Sequence, residues 1–420
     1  MGRSLYVLDN NEQLKAVLSN DGSACPYYES KWSEQLNGEI SLEFQVPADH
    51  DDAQYLVDDA IVLFEDDSGL FWHEFRVIGV DEDHSDGTLV RVVTCEHAAY
   101  HELIDHIIKD KQITGGTAED ALTQVLAGSR WSAGIVDNFG TKDATFYYTN
   151  GVAAIQTIVN IWGGELKFRT IVENGVITHR YVDLLVRRGA VTGKRFEYGK
   201  DVTSISRMVD STGVKTALYG LGKSLGTDDY DRTIRITFAD IEWKVTNGHP
   251  VDKPLGQEWV GDPNALAQYG YNGGTIHRFD VFIDDNEENP DVLLQKTWEK
   301  LQEINKPKVQ YNAKAIDLFR YLGYEYIHEK AELGDTVYVI DHEFKPELLS
   351  AVRIIQVIRD LNDDTNTEFV FGNFVPTMEG LYERVQQIQN TIYEKQGLWE
   401  STADPTVTDE DFPDIVPPTP

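Results

Sequence analysis

The stretch VDDAIVLFEDDSGLFWHEFRVIGVDED at residues 57–83 has a counterpart near the other end of the chain, LGDTVYVIDHEFKPELLSAVRIIQVIRD at residues 333–360. Each copy begins at an acidic turn, continues as an apolar run of strand-like residues, and returns through a second such run after an acidic loop. A chain that carries the same strand pair near both ends is predicted to contain two related β-domains.

The alignment of the two copies needs a gap of one residue in the loop. It matches Asp59 with Asp335 and Arg76 with Arg353, and both second strands read apolar-Arg-apolar-apolar-x-Val. Two unrelated strand pairs can also look alike by composition, so duplication and coincidence both remain open at this point.

Composition limits the possible functions. The chain of 420 residues has 71 acidic against 37 basic residues, a formal charge of -34. Such a surface repels phosphates and anionic lipids, which disfavours capture of nucleic acid by a basic groove but permits DNA to pass without sticking. The length predicts three or four folded units, and the 41% hydrophobic content with 8 Trp, 20 Tyr and 17 Phe indicates an aromatic-rich folded protein.

Targeting and redox signals are sparse. No apolar run approaches the ~20 residues that cross a bilayer, and the N-terminal residues lack the apolar core of a signal peptide, so we expect no membrane insertion. Cys25 and Cys95 are the only cysteines in the sequence. This number is typical of reduced, buried thiols in a protein made in the cytoplasm.

Strand and helix patterns divide the chain into six parts. Asp86-Gly87 between alternating runs predicts a hairpin, and Gly163-Gly164 predicts the end of a helix that begins near Asn150. The fold class is therefore mixed β with α+β insertions, with two related β-barrel domains of which the second is split. The predicted parts are a first β-barrel at 1–105, an inserted α/β domain at 106–200, a split second β-barrel at 201–240 and 330–375, an inserted α+β domain at 241–329, a short C-terminal helix at 376–400 and an acidic, proline-containing disordered tail at 401–420.

The C-terminal helix has an apolar stripe formed by Leu381, Val385, Ile388 and Ile392. Their spacing of four, three and four residues is the a/d pattern of a coiled coil, which makes these four residues candidates for an oligomer interface. Two heptads alone form only a marginal helix. An ordinary amphipathic helix that packs on its own domain explains the pattern equally well.

One histidine cluster suggests a metal site, His97, His101, Glu102 and His106. A zinc protease needs HExxH, whereas here His106 comes one residue late and lies about 140° from His101 around a helix axis. We interpret these side chains as solvated helix-face histidines.

Three other motifs fail on similar grounds. The stretch Gly220–Ser224 lacks the first glycine of a phosphate loop, and Asp81–Gly87 fits a hairpin tip better than a calcium loop. The acidic run Asp284–Glu288 fits a solvated loop better than a cation site. The sequence therefore predicts no catalytic, cofactor-binding or metal-binding residue.

An ordered set of segments resembles a known family. The segments are LNGEISLEFQVP, FRVIGVDED with VVTCEHAAYHELID, TAEDALTQVLAGSRWSAGIVD, GVAAIQTIVNIWGGEL, FEYGKDVTSISRMVDSTGVKTALYGLG and ELGDTVYVID with FVFGNFVP. Together they resemble the N-terminal hub region of siphophage tail-tip proteins, also called tail-associated lysins, phage minor structural proteins or prophage endopeptidase tail proteins. The resemblance extends to about residue 396.

This resemblance implies a fold similar to the central hub protein of contractile-phage baseplates. In that fold two similar β-barrels per subunit, one of them split, form a trimeric ring with pseudo-sixfold symmetry. It implies a homotrimer at the tail tip of the virion, made in the host cytoplasm, that meets distal tail, tail tube, tape-measure and receptor-binding proteins. DNA would pass through without specific binding.

The resemblance also bears on activity. Lytic activity in the family is attributed to additional C-terminal domains, so we expect this region to be structural and to need no cofactor. Two alternatives from other classes remain. One is a cell-wall-degrading endopeptidase or peptidoglycan hydrolase, and the other is a module that binds host-surface carbohydrate through its aromatic-rich insertions.

Overall fold

The computed structural model describes residues 3–85, 88–227, 233–344, 348–363 and 365–372. The chain forms two compact units. Unit 1 contains the residues up to 204 and residues 313–371, and unit 2 contains residues 205–312. Within the described residues, no helix is long and apolar enough to cross a membrane.

Strands dominate the described chain. They are β1 (Leu5–Leu8), β2 (Leu14–Leu18), β3 (Tyr28–Gln35), β4 (Ile40–Pro47), β5 (Ile61–Glu65), β6 (Trp72–Ser85), β7 (Thr88–His97), β8 (Ile107–Gly116), β9 (Ser132–Val136), β10 (Lys142–Asn150), β11 (Glu165–Glu173), β12 (Val176–Leu185), β13 (Val191–Glu197), β14 (Val202–Asp210), β15 (Ala217–Leu221), β16 (Ser224–Thr227), β17 (Thr233–Arg235), β18 (Trp259–Gly261), β19 (Phe279–Ile283), β20 (Lys308–Ala315), β21 (Thr336–Asp341), β22 (Leu348–Arg359) and β23 (Thr367–Gly372). The helices are α1 (Ala98–Ile104), α2 (Ala118–Leu126), α3 (Gly151–Trp162), α4 (Pro263–Tyr269), α5 (Tyr271–Gly274), α6 (Pro290–Ile304) and α7 (Leu318–Leu322).

The first strand group pairs in the order β2-β1-β5-β6-β7-β4-β3, and each of these pairs is antiparallel. Burial alternates along β4, where Leu42, Phe44 and Val46 point into the core between more exposed polar residues. This period of two lets one face of the sheet be apolar. Ser85 pairs with Thr88 across β6 and β7, which fits the two-residue connection predicted there.

The second strand group contains the other copy of the repeat. Strand β21 pairs antiparallel with β22 and parallel with β13, and the far end of β22 pairs antiparallel with β3 of the first group. Strand β23 lies on the other side of β22. The two copies of the repeat therefore belong to one continuous sheet within unit 1.

Each copy of the repeat is anchored by its arginine in the same way. Arg76 Nη1 donates to the carbonyl oxygen of Asp59 at 3.1 Å, and Arg353 Nε donates to that of Gly334 at 2.8 Å. Both carbonyl-bearing residues have positive φ, 62° for Asp59 and 91° for Gly334. The match of Asp59 with Asp335 is therefore wrong by one residue, because the turn requires a left-handed residue and Gly334 occupies that position.

The predicted fold class holds in its broad form, since the chain is mostly β-sheet with interspersed helices. Pairing among the described strands closes neither group into a barrel. The predicted helix is also confirmed, since Asn150 caps α3, which ends at Gly163 with φ +86°. Thr117 and Asp120 form a capping box at the start of α2.

The segment between the two groups joins the same sheet. Strand β11 pairs with β12 along its length and meets β6 at Thr170 and Trp72. A buried ion pair secures this junction, because Arg180 Nε donates to Glu74 Oε2 at 2.8 Å and the Glu74 side chain is fully buried. Helices α2 and α3 pack against each other in the same part of unit 1.

Unit 2 is built around a three-stranded sheet in the order β18-β15-β19. Helix α6 packs on this sheet and is capped by Asn289, whose side chain accepts hydrogen bonds from the backbone of the first turn. The fully buried Lys253 donates to the carbonyl oxygens of Phe238 at 2.7 Å and Ile241 at 2.6 Å. A buried ammonium that is bound by backbone carbonyls holds an irregular loop together where strand pairing is absent.

Candidate functional site

The four residues predicted at an oligomer interface, Leu381, Val385, Ile388 and Ile392, lie outside the described residues. The coiled coil therefore stays a prediction. Two features of the described chain bear on function, the histidine cluster and one cavity.

The histidines of the cluster face different surroundings. His97 precedes α1 as its N-cap, with Nδ1 accepting a hydrogen bond from the Ala99 amide at 3.2 Å. His101 Nε2 lies 3.5 Å from Asp59 Oδ1, and His106 Nε2 lies 2.9 Å from the carbonyl oxygen of Val125. No group of three or more His, Cys, Asp or Glu residues that could hold a metal ion occurs in the described part of the chain.

The interpretation of His97 as a solvated side chain is wrong, because its side chain is only 2% exposed. It packs among aromatic rings, with centroids 5.0 Å from Phe168 and 5.6 Å from Phe75. Burial, helped by the neighbouring His73, lowers the pKa of His97 to about 3. The side chain is therefore a neutral capping group in the core.

The burial of His97 predicts a specific acid sensitivity. In the unfolded chain its pKa is near 6.5, so the unfolded state takes up a proton first as the pH falls, while the folded state stays neutral until about 3. Stability from this group is complete above pH 6.5 and is lost progressively towards pH 3. We expect His97→Asn, which keeps a capping side chain, to reduce the slope of unfolding free energy against pH in this window by up to ~1.4 kcal/mol per pH unit.

Urea titrations of wild type and variant between pH 8 and pH 3.5 measure this slope. Between pH 7 and pH 8 the His97 imidazole is neutral in both the folded and the unfolded state. The slopes of wild type and variant should therefore coincide in that range, which serves as the internal control. An unchanged slope below pH 6.5 would contradict the assignment.

The glycine-rich and acidic motifs have structural roles. Gly220 lies inside strand β15, where an added Cβ would come within 2.3 Å of both Phe238 and Thr297 side-chain atoms. In the acidic loop, Lys296 Nζ binds Asp284 Oδ2 at 2.7 Å and Glu287 Oε2 at 2.8 Å. The first motif is a close packing contact, and the second is an ion-pair network at the start of α6.

The two cysteines are buried and unpaired. Burial raises the pKa of Cys25 to about 11 and raises that of Cys95 as well. The burial of both thiols agrees with the prediction, and buried thiols with raised pKa are unreactive.

A cavity of about 430 Å³ lies within unit 1, and no local sequence pattern indicates it. Seven cationic side chains and four carboxylates line it, in a chain whose formal charge is -34. Trp32 and Arg359 meet on its wall, since they are opposite each other in the β3–β22 pairing and the guanidinium lies 5.5 Å from the indole ring centroid. These two residues are far apart in sequence, so only the folded sheet brings them together.

The carboxylates of the cavity all have partners. They pair as Glu34 with Arg188, Asp66 with His73, Asp183 with Arg169 and Glu332 with Lys330, at 2.5 to 3.2 Å. Burial alone would raise the pKa of Glu34, but the charge and hydrogen bond of Arg188 together with the nearby His73 and His97 outweigh it, so the pKa is lowered. Glu34 is therefore ionised at neutral pH, as expected for a paired carboxylate.

Comparison with solved structures identifies the class of fold. The chain is similar to the prophage tail protein gp18 from Listeria monocytogenes EGD-e, with 17% identity over 92% of this chain and 99% of that chain and a TM-score of 0.53. It is similar to the tail protein from Neisseria meningitidis MC58, with 12% identity, 89% and 96% coverage and a TM-score of 0.53. It is also similar to the 43 kDa tail protein of prophage MuSo2 from Shewanella oneidensis, with 10% identity, 89% and 98% coverage and a TM-score of 0.54. The fold is that of prophage tail proteins.

Family models give the more specific assignment. The prophage endopeptidase tail N-terminal domain matches residues 5–97, the prophage endopeptidase tail domain matches 105–184, and the prophage endopeptidase tail model matches 190–381. The chain belongs to the prophage endopeptidase tail family and is a phage tail protein. The comparison with curated proteins gives no match.

Proposed function

We propose that the protein is a structural hub at the distal tip of a phage or prophage-derived tail, where three copies form a ring. The observation that carries this proposal is the repeated arginine-anchored turn. Arg76 and Arg353 each bind a left-handed turn residue and then a carboxylate from the intervening chain, Glu102 at 2.8 Å and Glu165 at 2.7 Å. Two related β-domains per chain would give six similar units in a trimer.

Symmetry is the physical reason for this arrangement. A closed ring of identical chains presents a repeated surface, and an internal duplication doubles the number of repeats. A threefold ring with six similar β-domains can meet sixfold neighbours. We propose distal tail and tail tube proteins as those neighbours, with tape-measure and receptor-binding proteins as further partners at the virion tail tip.

The charge of the chain supports a channel role. DNA binding depends on neutralisation of phosphates by Lys and Arg, and the formal charge of -34 opposes it. We therefore propose that the ring closes or gates the DNA channel of the tail. When the channel opens, DNA passes through without being bound.

The proposal assigns no hydrolytic reaction to this chain, although the family name contains the word endopeptidase. The endopeptidase alternative requires release of soluble peptides from purified cell walls. The carbohydrate-binding alternative requires retention on host glycans. A structural hub needs neither peptide release nor glycan binding.

The decisive test is the mass and shape of the particle. Light scattering on the purified chain should give three times 47.5 kDa, and electron microscopy should show a threefold ring with a central channel. A particle that stays monomeric at high protein concentration would contradict the hub.

A single substitution tests the coiled coil within this proposal. Ile388→Asp places a charge on the predicted apolar stripe, and burying an unpaired carboxylate is costly, so the trimer should dissociate on the order of tenfold more readily. Asn390→Asp adds the same charge at an outward heptad position and should leave the mass unchanged. If the helix instead packs on its own domain, Ile388→Asp will lower the melting temperature without changing the trimer mass.

A further inference from the structure

The cavity of unit 1 carries more positive charge than its carboxylates balance. Its four carboxylates are all paired, as described above, and four cations lack a partner among them: Lys167, Arg187, Arg320 and Arg359. Of these, Arg320 Nε pairs with Asp317 Oδ2, outside the cavity lining, at 3.0 Å. Among the described residues, neither Lys167 nor Arg187 has a carboxylate within ion-pair distance. Lys167 Nζ lies 4.4 Å from the centroid of the Phe71 ring, and Arg187 Nη2 donates to the Thr336 hydroxyl at 2.5 Å.

Two residues that line the cavity also carry a buried N–H group without an acceptor. Trp32 and Arg359 are 5% and 7% exposed, and neither Trp32 Nε1 nor Arg359 Nε has a hydrogen-bond partner in the part of the chain that the structure describes. The other end of Arg359 is held, since Nη2 donates to the carbonyl oxygen of Ala331 at 3.2 Å and lies 3.8 Å from Asp317 Oδ2. An unsatisfied buried donor is destabilising. Two such donors in residues that line one cavity favour a site that is completed by a ligand.

The local electrostatics agree with this interpretation. Burial lowers the pKa of Lys167 and the positive charge of Arg188 lowers it further, which together outweigh the opposite effect of Asp66, Glu34 and Asp183. The ammonium is thus partly desolvated, close to another cation and placed over the Phe71 ring. An anion beside Lys167 would relieve both effects.

We propose that this cavity binds a compact oxyanion, a carboxylate or phosphate group, with Lys167 as counter-charge and the Arg359 and Trp32 N–H groups as donors. The volume of about 430 Å³ falls in the usual range of small-ligand sites, ~300–1,000 Å³. Arg187 lies at the exposed side of the cavity and attracts the anion from solvent. The oxyanion is supplied either by a free small molecule or by an acidic side chain of a peptide, and this site is independent of the hub proposal.

Calorimetric titration of the full chain tests the site with three probes: inorganic phosphate, malonate and the peptide TDEDFPD, which is residues 408–414 of the chain itself. All titrations are made at constant ionic strength with chloride as the balancing anion. Binding of phosphate or malonate identifies a free anion as sufficient. Binding of the peptide alone identifies an acidic side chain as the source.

Variants then locate the binding. Lys167→Met should weaken binding about tenfold or more, the expected loss of one charged contact at a desolvated site. Arg187→Gln should weaken it about threefold, since Arg187 acts from the exposed side of the cavity. Lys109→Met is the matched control, because Lys109 is an exposed strand residue of unit 1 outside the cavity. Arg187→Gln keeps a donor for Thr336 at an exposed position, so it reports on binding even if Lys167→Met disturbs packing.

A spectroscopic readout places the anion at the indole. With 15N-labelled tryptophan the chain has eight indole signals, and the one missing in Trp32→Phe belongs to Trp32. That signal should shift on titration, since its N–H gains an acceptor. The proposal is overturned if none of the three probes binds at millimolar concentration, if Lys109→Met weakens binding as much as Lys167→Met, or if the Trp32 indole signal does not move.

Discussion

Replacement of Glu74 by alanine should lower the stability of unit 1 by about 3 kcal/mol. Glu74 is fully buried on β6 and accepts from Arg180 Nε at 2.8 Å, Arg180 Nη2 at 2.9 Å and the Thr170 hydroxyl at 2.8 Å. Without this carboxylate, Arg180 remains buried with Glu12 as its other carboxylate partner at 2.7 Å. Removal of one partner from a buried pair costs ~3–5 kcal/mol, and Glu12 keeps the expected loss at the lower end.

Thermal unfolding at fixed protein concentration measures this loss, which corresponds to roughly 6–12 °C at ~2–4 °C per kcal/mol. The matched control is Glu82→Ala on the same strand. Glu82 pairs with Arg91 at 2.6 Å but is 48% exposed, and an exposed pair contributes under ~1 kcal/mol. Equal shifts for the two variants would show that the Glu74–Arg180 pair does not hold β6 to the β11–β12 hairpin.

Local patterns predict the parts of this fold that depend on neighbouring residues. The capping box at Thr117, the glycine stop at Gly163 and the alternating burial of β4 follow from spacing within a few residues. The repeat is also visible, because its strands and its arginine keep their order in both copies. These features are short in range, so one sequence is enough to predict them.

The errors have a common physical cause. Sequence comparison matched acid with acid and so paired Asp59 with Asp335, whereas the fold matches backbone conformation and pairs Asp59 with Gly334. His97 has helical spacing to His101, yet it lies just before α1 and caps it. A residue type indicates a preference, but the conformation at each position is set by where the turn or helix starts.

The cavity could not be predicted from local sequence patterns, for a different reason. Its wall requires β22 to pair with β3, which brings together Trp32 and Arg359 from opposite ends of the chain. Strand partners at that separation are chosen by the whole sheet, and the alternation within each strand is compatible with many partners. The surplus of positive charge was likewise hidden, because the overall charge of -34 is strongly acidic.

Gly189→Ala should be among the most destabilising small substitutions in unit 1, with a loss of about 3–4 kcal/mol in the free energy of unfolding. Gly189 has φ +71°, and an added Cβ would come within 2.3 Å of the Gly334 carbonyl carbon and 2.4 Å of the Asp335 amide nitrogen. Both atoms belong to the backbone, so neither can move aside as a side chain can. The same contact is fixed by hydrogen bonds, Ala190 N to Asp335 Oδ1 at 2.7 Å and Thr336 N to Ala190 O at 2.8 Å.

Gly193→Ala separates the two causes of this loss. Gly193 has φ +73°, almost the same as Gly189, but nothing lies within 4 Å of its added Cβ. Its substitution should cost only the ~1–2 kcal/mol of left-handed strain. The difference between the variants is therefore the cost of pushing the 188–190 segment away from the start of the second repeat. Hydrogen exchange should show lost protection at Thr336 in Gly189→Ala alone, and equal protection in both variants would mean that this close backbone contact does not anchor the repeat.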